Sequence, residues 1–463
     1  MILLTHAYFL HEDEREKAIM KPYPPLGILY ISGWLEHRNV PHEVFDTTFS
    51  TKALFYRHLL EKKPAILAVY VNLVTKLNVL ELIRFVKSNV VLYKTKIILG
   101  GPDVRYNADN LLGAGADFLV IGEGEETFYE LSQALTGNRP FDEITGIAYR
   151  LPDGGVYQSP GRVLRKDLDE LPFPNRKKID FKPYLGVWKK HHGNSAMTVS
   201  TMRGCPYSCH WCSRGVYGQS YRRRSAASVV AEIKQVQELY RPDHLWFVDD
   251  VFTISHKWMQ SFADELREQQ VRPVYECITR ADRLNTEVIR LLKETGCFRV
   301  WIGAESGSQR IIDLMDRRVD VQTVREMINK ARLAGIEAGT FIMVGYPGET
   351  EEDIRETLRH LKASDPTFFT ITITYPIRGT ELYSEVESVS NVNRISWRHT
   401  TDRDIDFKRA YSKEYYQQAI QWIVSEMAFY QRKSKHLGAV PSAKAKLRSV
   451  KARMGMWWYK LKS

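Results

Sequence analysis

The sequence predicts an α/β protein of two successive blocks of parallel strands, a doubly wound sheet and then a partial (β/α)6 barrel, followed by a helical C-terminal region. Three observations predict it. Residues 1–140 alternate short β-branched runs with amphipathic helical stretches, the rhythm of a doubly wound sheet. From 196 to about 385 six strand-plus-helix units follow in a row, the pattern of a barrel or partial barrel. Beyond that the residues become helical and aromatic, as in YSKEYYQQAIQWIVSEMAFYQRK (411–433).

In the first block the strands are ILLT (2–5), HEVFD (42–46), AILAVYV (65–71), KIILGG (96–101) and DFLVIG (117–122). Ligands of such sheets sit beyond the carboxyl ends of the strands, where the sequence places GGPD (100–103) and GEGEET (122–127). Gly100, Gly101, Pro102, Gly122 and Gly124 are therefore candidate ligand-facing residues, since glycine lets a backbone N–H approach a ligand closely. The same glycines also serve as ordinary turn residues. Residues 141–195 are a linker, with a hairpin turn at DGG and an extended PFP.

The second block, 196–385, has candidate strands AMTVST (196–201), HLWFVDD (244–250), VYECITR (274–280), FRVWIGA (298–304), AGTFIMVG (338–345) and FFTITITYP (368–376). Helices such as SAASVVAEIKQVQEL (225–239) and DVQTVREMINKARLAG (320–335) fall between them. Residues 386–463 form the helical C-terminal region.

Composition excludes several classes. Five cysteines in 463 residues do not make a secreted disulfide scaffold, and the start, MILLTHAYFLHEDEREK, lacks the basic and apolar segments of a signal peptide. No run approaches the roughly 18 apolar residues that span a bilayer, so the expected setting is the cytoplasm. The net charge of +11 raises nucleic acid as a partner, but ten Lys/Arg follow Glu426 with no further acid, leaving +1 for the first 426 residues. With a nearly neutral body and no recognisable RNA-binding module, nucleic acid is not the expected partner.

Three of the cysteines lie in RGCPYSCHWCSRG (203–215). Cys205, Cys209 and Cys212 have spacing C-x3-C-x2-C immediately after the first strand of the second block, on a carboxyl-end loop. A structural zinc site wants four close N/S ligands in paired knuckles. A thioredoxin-like pair would leave Cys205 unexplained. Three thiolates on one loop suit a 4Fe-4S cluster with one iron left open. Cys277 and Cys297 sit alone on later elements and read as core residues.

C-x3-C-x-aromatic-C after the first strand of six βα units resembles the radical SAM superfamily. Further stretches match in order: FVDDVFT (247–253), TRADRLN (279–285), IGAESGS (302–308), MVGYPGET (343–350) and TYPIRGTELY (374–383). The resemblance implies a TIM-type partial barrel whose open iron chelates S-adenosylmethionine and whose cluster cleaves it to methionine and a 5′-deoxyadenosyl radical. It implies that Trp211 meets the adenine through its backbone, and that Asp249 or Asp250 takes the methionine amino group, although FVDD stands where the family often has GGE. Glu305 and Ser306 are implied at the ribose or the methionine carboxylate, Arg280 is a second candidate for that carboxylate, and Gly345 and Pro347 are implied to pack against the adenine.

The first block resembles the Rossmann-like cobalamin-binding domain that precedes the barrel in one large subclass, through KPYPPLGILYISGWLEHRN (21–39), FDTT (45–48), ILGGPDV (98–104) and VIGEGEETFYEL (120–131). The D-x-H-x-x-G segment that supplies a histidine to cobalt is absent, and Asp103 follows GGP where relatives often have histidine. The pair of domains implies a cobalamin-dependent methyltransferase acting on an unactivated carbon, or else an oxidative cyclase or rearrangement enzyme of the anaerobic tetrapyrrole cyclase type. A cofactor sensor is the non-catalytic alternative. The implied partners are a small-molecule or lipid-like substrate and a flavodoxin- or ferredoxin-type reductant. The tail VPSAKAKLRSVKARMGMWWYKLKS combines cations with Met454, Met456, Trp457, Trp458 and Tyr459, which suits peripheral contact with an anionic membrane, or else a terminal helix docked on the core.

Overall fold

The computed structural model describes residues 1–137, 140–389, 397–434 and 439–462. It divides into two compact units. One holds Met1–Pro206, Ser213–Trp246 and a short stretch ending at Asp404; the other holds Tyr207–Cys212 and the rest of the chain from Phe247 on.

The first unit is built on a seven-stranded sheet. Strands β1 (Ile2–His6), β2 (His42–Phe45), β3 (Ile66–Tyr70), β4 (Lys96–Gly100) and β5 (Phe118–Val120) run parallel in the order β2-β1-β3-β4-β5, with Ile2 opposite both His42 and Ile66. The hairpin β6 (Ile147–Arg150) and β7 (Val156–Gln158) continues the sheet antiparallel from β5. β1 is buried along its whole length, as a parallel strand covered on both faces must be. Side chains alternate between two cores. Leu3, Leu67, Leu99 and Leu119 pack with Val79 and Ile83 on one face, while Ile2, Leu4, Ile66 and Ile98 pack with Ile28 and Phe128 on the other. This two-sided core is the doubly wound arrangement that the sequence rhythm predicts.

Six later strands each lead toward a helix, as expected of the second block. They are β8 (Ala196–Val199), then, after the two-residue pair β9 (Met202–Arg203) and β10 (Arg222–Arg223), β11 (His244–Phe247), β12 (Tyr275–Thr279), β13 (Cys297–Glu305), β14 (Glu337–Val344) and β15 (Phe368–Ile373). Within the second unit β12 to β15 pair parallel in chain order, so their carboxyl ends lie on one side. The register of β13 against β14 slips between Gly303 and Glu305, and Glu305 adopts a left-handed backbone with φ of +64°. A bulge of this kind re-aims the last side chain of a strand. The chain ends in two long helices, Lys413–Ser434 and Ala439–Lys460.

A buried charge cluster in the first unit fixes the strand that leads into the cysteine loop. Glu232, fully buried on the helix Ala226–Tyr240, pairs with Arg176 at 2.6 Å and with Arg224. Those guanidinium groups reach on to backbone at the end of β8, Arg176 to Thr198 O at 2.9 Å and Arg224 to Ser200 O at 2.9 Å. Burial alone would raise the Glu232 pKa, but the two arginines hold it below the usual carboxylate range. Removing one partner of a buried ion pair strands the other, at a cost of about 3–5 kcal/mol. Glu232→Ala is therefore expected to lower the thermal unfolding midpoint by roughly ten degrees or more; a variant as stable as the native chain would show that Glu232 does not anchor this strand.

Candidate cofactor site

The cysteine loop leaves a short antiparallel stem in which Arg222 pairs with Arg203 and Arg223 with Met202. Gly204 opens the loop with φ of +83°, and a Cβ there would stand 2.6 Å from the Ser220 carbonyl, so only glycine lets the two limbs come this close. Cys209 is buried, Cys205 half-buried and Cys212 exposed, and none forms a disulfide. The central residues are pinned within the second unit. Cys212 N donates to Cys209 O at 3.1 Å, His210 N to Met315 O at 3.1 Å, Leu382 N to His210 O at 3.0 Å, and Ser208 Oγ to Asp316 Oδ2 at 2.7 Å.

Two buried guanidinium groups converge on the Cys209 sulfur. Arg280 Nη1 lies 3.7 Å from Sγ and Arg317 Nη1 lies 3.8 Å from it. Arg280, just past β12, is held by Asp282 at 2.9 Å and the Arg317 carbonyl at 2.8 Å, and it stacks 3.8 Å from the centre of the Tyr207 ring. Arg317 donates to Gly303 O at 2.9 Å, pairs with Glu305 at 3.3 Å and lies 5.6 Å from the centre of the Trp211 ring. Burial pushes the Glu305 carboxyl above the usual range, while Arg317 and Arg280 pull it back. The bulge in β13 points that carboxylate at Arg317. A Cβ on Gly303 would fall 2.4 Å from Arg317 Nη2, so this position also requires glycine. Cys209, Trp211, Arg280 and Glu305 are thus brought together, and Arg317 joins them.

The other candidates have different hydrogen-bond partners. Asp249 is buried and Asp250 reaches solvent just beyond β11, where enclosure by protein and the neighbouring Asp249 charge raise its pKa. Ser306 is wholly buried, its hydroxyl 3.2 Å from Thr357 Oγ1 and accepting the Ser308 N–H at 3.1 Å. Gly345, with φ of +81°, donates its N–H to Glu349 at 2.5 Å, and Pro347 is half-buried in the same turn. Glu349 is fully buried, its Oε1 has no hydrogen-bond partner among the described residues, and burial pushes its pKa up to about 8. Cys277 and Cys297 are buried in the core; burial, with Cys297 beside it, pushes the Cys277 thiol up.

In the first unit the candidate glycines gather at the carboxyl ends of β4 and β5. Gly101, with φ of +116°, leaves room for Val71 O, which a Cβ would approach to 2.4 Å, so its smallness serves the turn itself. Gly124 begins the helix Gly124–Thr136 against Ile31. Gly100 and Gly122 meet nothing nearer than 3.7 Å from an added Cβ, although φ of +92° makes Gly122 a glycine position on backbone grounds, and both lie at the carboxyl edge of the sheet. The outgoing limb of the cysteine loop reaches the same edge. Arg105 Nε donates to Gly215 O at 2.9 Å, and a Cβ on Gly215 would stand 2.7 Å from Pro102 O. Arg203, immediately before the loop's first glycine, is clamped by Glu125 at 2.5 Å, and Arg222 by Glu123 at 2.6 Å.

These residues fit the groups implied by the sequence. Among the described residues no three His, Cys, Asp or Glu side chains gather closely enough for a single metal ion. A cubane cluster takes each thiolate on a different iron, and a sulfur carrying negative charge is matched by two guanidinium donors. Arg317 Nε is buried with no partner among the described residues, a donor suited to an anionic ligand. At the first sheet, His6 ends β1 but is committed to Asp46 at 2.9 Å, and Asp103 follows Pro102. The edge thus offers glycine backbone and no histidine from its GGP turn. Arg317, Arg203, Tyr207 and Glu349 were not signalled by the motif spacing; the only hint of Arg317 is its place in MDRR (315–318), on no strand end.

Two family models match the chain. Residues 199–361 match the family model of the radical SAM superfamily and residues 19–132 that of the B12 binding domain. An uncharacterized methyltransferase of Pyrococcus horikoshii is 28% identical over 389 residues, covering 82% of each chain. The anaerobic magnesium-protoporphyrin IX monomethyl ester cyclase of Rubrivivax gelatinosus is 24% identical over 379 residues, covering 79% of this chain and 66% of that one. The solved structure of OxsB, a cobalamin-dependent S-adenosylmethionine radical enzyme with aqua-cobalamin bound, superposes with a TM-score of 0.75 at 16% identity, covering 98% of this chain and 72% of that one.

The raised Glu349 pKa gives a test of the turn that holds Gly345. A carboxyl whose folded pKa lies above its unfolded value stabilises the fold fully at low pH, and this contribution disappears as pH rises from the ordinary carboxylate range through about 8. Glu349→Gln keeps an acceptor for the Gly345 N–H and removes the charge. The variant is expected to match the native melting temperature near the acid end of that window and to exceed it by several degrees above it; parallel melting curves across pH would contradict the burial of an ionisable Glu349.

Proposed function

The chain belongs to the radical SAM superfamily and carries a B12-binding domain ahead of its radical SAM domain, and from that premise we propose that it transfers a methyl group to an unactivated carbon of a small-molecule or lipid-like substrate. The observation that carries the reading is the convergence of Arg280 and Arg317 on Cys209, with Glu305 and Trp211 beside them. A bound 4Fe-4S cluster supplies the electron that cleaves S-adenosylmethionine to a 5′-deoxyadenosyl radical, and bound cobalamin supplies a methyl carrier.

Cys205, Cys209 and Cys212 would ligate the cluster through three of its irons. Arg280 and Arg317 balance the negative charge that such a ligand brings into a buried site, which would otherwise carry a heavy desolvation cost. Arg317 Nε and the Glu305 carboxyl face the same region and would take the methionine carboxylate and the ribose respectively. Asp249 or Asp250, just beyond β11, would take the methionine amino group. Trp211, Gly345 and Pro347 would flank the adenine. Ser306 supports the backbone of the Glu305 turn through Ser308 and Thr357.

On the first unit, Gly100, Gly101, Pro102, Gly122 and Gly124 would present backbone to the corrin. The segment that follows the cysteines rests on Pro102 and Arg105 of that same unit, through Gly215. A flavodoxin- or ferredoxin-type protein would deliver the electrons, and the basic final helix would make peripheral contact with a membrane. The likeness to the Rubrivivax gelatinosus cyclase favours oxidative cyclisation as the second reading.

The two readings separate by their products. Methyl transfer yields S-adenosylhomocysteine and a methylated product together with 5′-deoxyadenosine, whereas cyclisation yields no S-adenosylhomocysteine. Anaerobically reconstituted protein supplied with hydroxocobalamin and a cell extract is expected to form both adenosyl products by mass spectrometry. Cys209→Ala is expected to lose the cluster absorbance and to reduce 5′-deoxyadenosine at least a hundredfold, as loss of a ligating thiolate should. A variant that keeps both would sink the assignment of the cysteine loop.

A further inference from the structure

We propose that the helix Ala439–Lys460 is a docking surface for the anionic face of a lipid bilayer, which sharpens the peripheral contact proposed above by naming the face, the residues and the lipid charge. The helix has two apolar stripes on opposite sides. Ala445, Ser449, Ala452 and Met456 recur at helical spacing and are all buried, and they turn the helix toward its neighbour Lys413–Ser434. Ala445 and Ala452 are small, and Gly455 lies so close to Gln418 that a Cβ would stand 2.7 Å from Oε1. The contact is fixed by charge. Glu426 accepts from Lys446 at 2.7 Å, from Lys362 at 3.1 Å and from Ser449, while Lys460 reaches Glu351 at 2.8 Å. Burial works against ionising Glu426, but these three partners hold its pKa down at about 2. The helix is therefore seated by one face.

The opposite face is apolar as well, and it is exposed. Leu447, Val450, Met454, Trp457, Trp458 and Leu461 leave between 46% and 72% of their surface open. From Leu447 they step by three, four, three and four residues to Leu461, with Trp458 one turn after Met454, which places them along one side of the helix. An ordinary surface helix hides one apolar stripe and shows a polar one; this helix hides one and shows another. Cations border the exposed stripe on both sides. Lys444, Arg448, Lys451 and Lys462 run along one edge, and Arg453 along the other, between Lys446 and Lys460, whose charges are paired with Glu426 and Glu351. Lys462 lies 4.5 Å above the Trp458 ring.

An apolar stripe with tryptophans, flanked on each side by long cationic side chains, fits a surface that is apolar inside and anionic at its rim. Bilayer interfaces of acidic phospholipid have that structure, with aliphatic groups entering the acyl boundary, indole rings at the headgroups and Lys/Arg reaching outward to phosphate. Two other occupants fit less well. A second copy of the helix would bring like charges against like charges along both edges. A nucleic acid would neutralise the cations but leave the aliphatic stripe facing water. No acid follows Glu426 to offset the cations. No helix of the described residues is long and apolar enough to cross a membrane, so the mode of contact is lying on the surface.

The test is flotation of the full-length protein with vesicles of phosphatidylcholine alone and with vesicles in which phosphatidylglycerol replaces about a third of it, a content that gives a clear negative surface potential. The protein is expected to float with the anionic vesicles at least tenfold more than with the neutral ones, and to be released by high salt. Trp457→Ser/Trp458→Ser/Leu461→Ser is expected to lose this binding while keeping the native melting temperature, because the three side chains are exposed. Lys444→Gln/Lys451→Gln/Lys462→Gln is expected to lose the preference for anionic vesicles. Equal binding to both vesicle types would overturn the anionic assignment while leaving peripheral contact standing. Binding unaffected by the serine variant would move the contact to another surface. A dimer dissolved by the serine variant, or transfer RNA bound in place of vesicles, would assign the stripe to a different partner. The assay needs no cofactor, so its outcome is separate from that of the catalytic reading.

Discussion

Two guanidinium groups aimed at one buried sulfur are the constraint on which the rest of the second unit depends. Cations brought this close inside a protein repel each other and have lost their water, so anions must stand beside them. Asp282 does this for Arg280 and Glu305 for Arg317, and Cys209 lies between the two. Other oddities of the region follow from that requirement. Glu305 takes a left-handed backbone, which costs a residue with a Cβ on the order of 1 kcal/mol or more, because the bulge aims its carboxylate inward. Gly303 has no side chain because Arg317 occupies that space.

The first unit solves a related problem with other residues. The strand before the cysteine loop and the stem of that loop are secured by buried ion pairs, Glu232 with Arg176 and Arg224, and Glu125 with Arg203. Glu125 stands on the helix that begins at Gly124, so the turn that carries the candidate glycines also grips the root of the cysteine loop. Binding surface and loop position are thus set by neighbouring residues of one segment.

Most of the fold was legible in the sequence, because strand and helix periodicities differ and the strand ends are marked by glycine, acid or arginine. The eleven strands of the alternating blocks fall within a residue or two of the β-branched runs at their amino ends, and the motif residues land just past their carboxyl ends. Candidate site residues were legible where ligand chemistry demands a residue type, as with the three cysteines. It was not legible where the partner is distant in sequence. Arg317 comes twelve residues after Glu305 in a loop rich in charge, and nothing local separates it from Arg318, which is exposed and paired with Asp316. Ser306 is implied as a ligand contact by the family resemblance of the Glu305–Ser306 pair, and its hydroxyl lies 3.2 Å from Thr357 Oγ1, a partner that only the fold reveals. In the tail the composition was visible and the two-sided periodicity was present as well; only the docking of one face shows which stripe is left open.

The central claim is that the cysteine loop holds a cluster with one iron free for S-adenosylmethionine. The most direct measurement is the electron paramagnetic resonance spectrum of the anaerobically reconstituted, reduced protein before and after S-adenosylmethionine is added. The account predicts the signal of one reduced 4Fe-4S cluster per chain whose shape changes when S-adenosylmethionine binds the open iron. A spectrum that S-adenosylmethionine leaves unchanged, or a chain that assembles no such cluster, would contradict it.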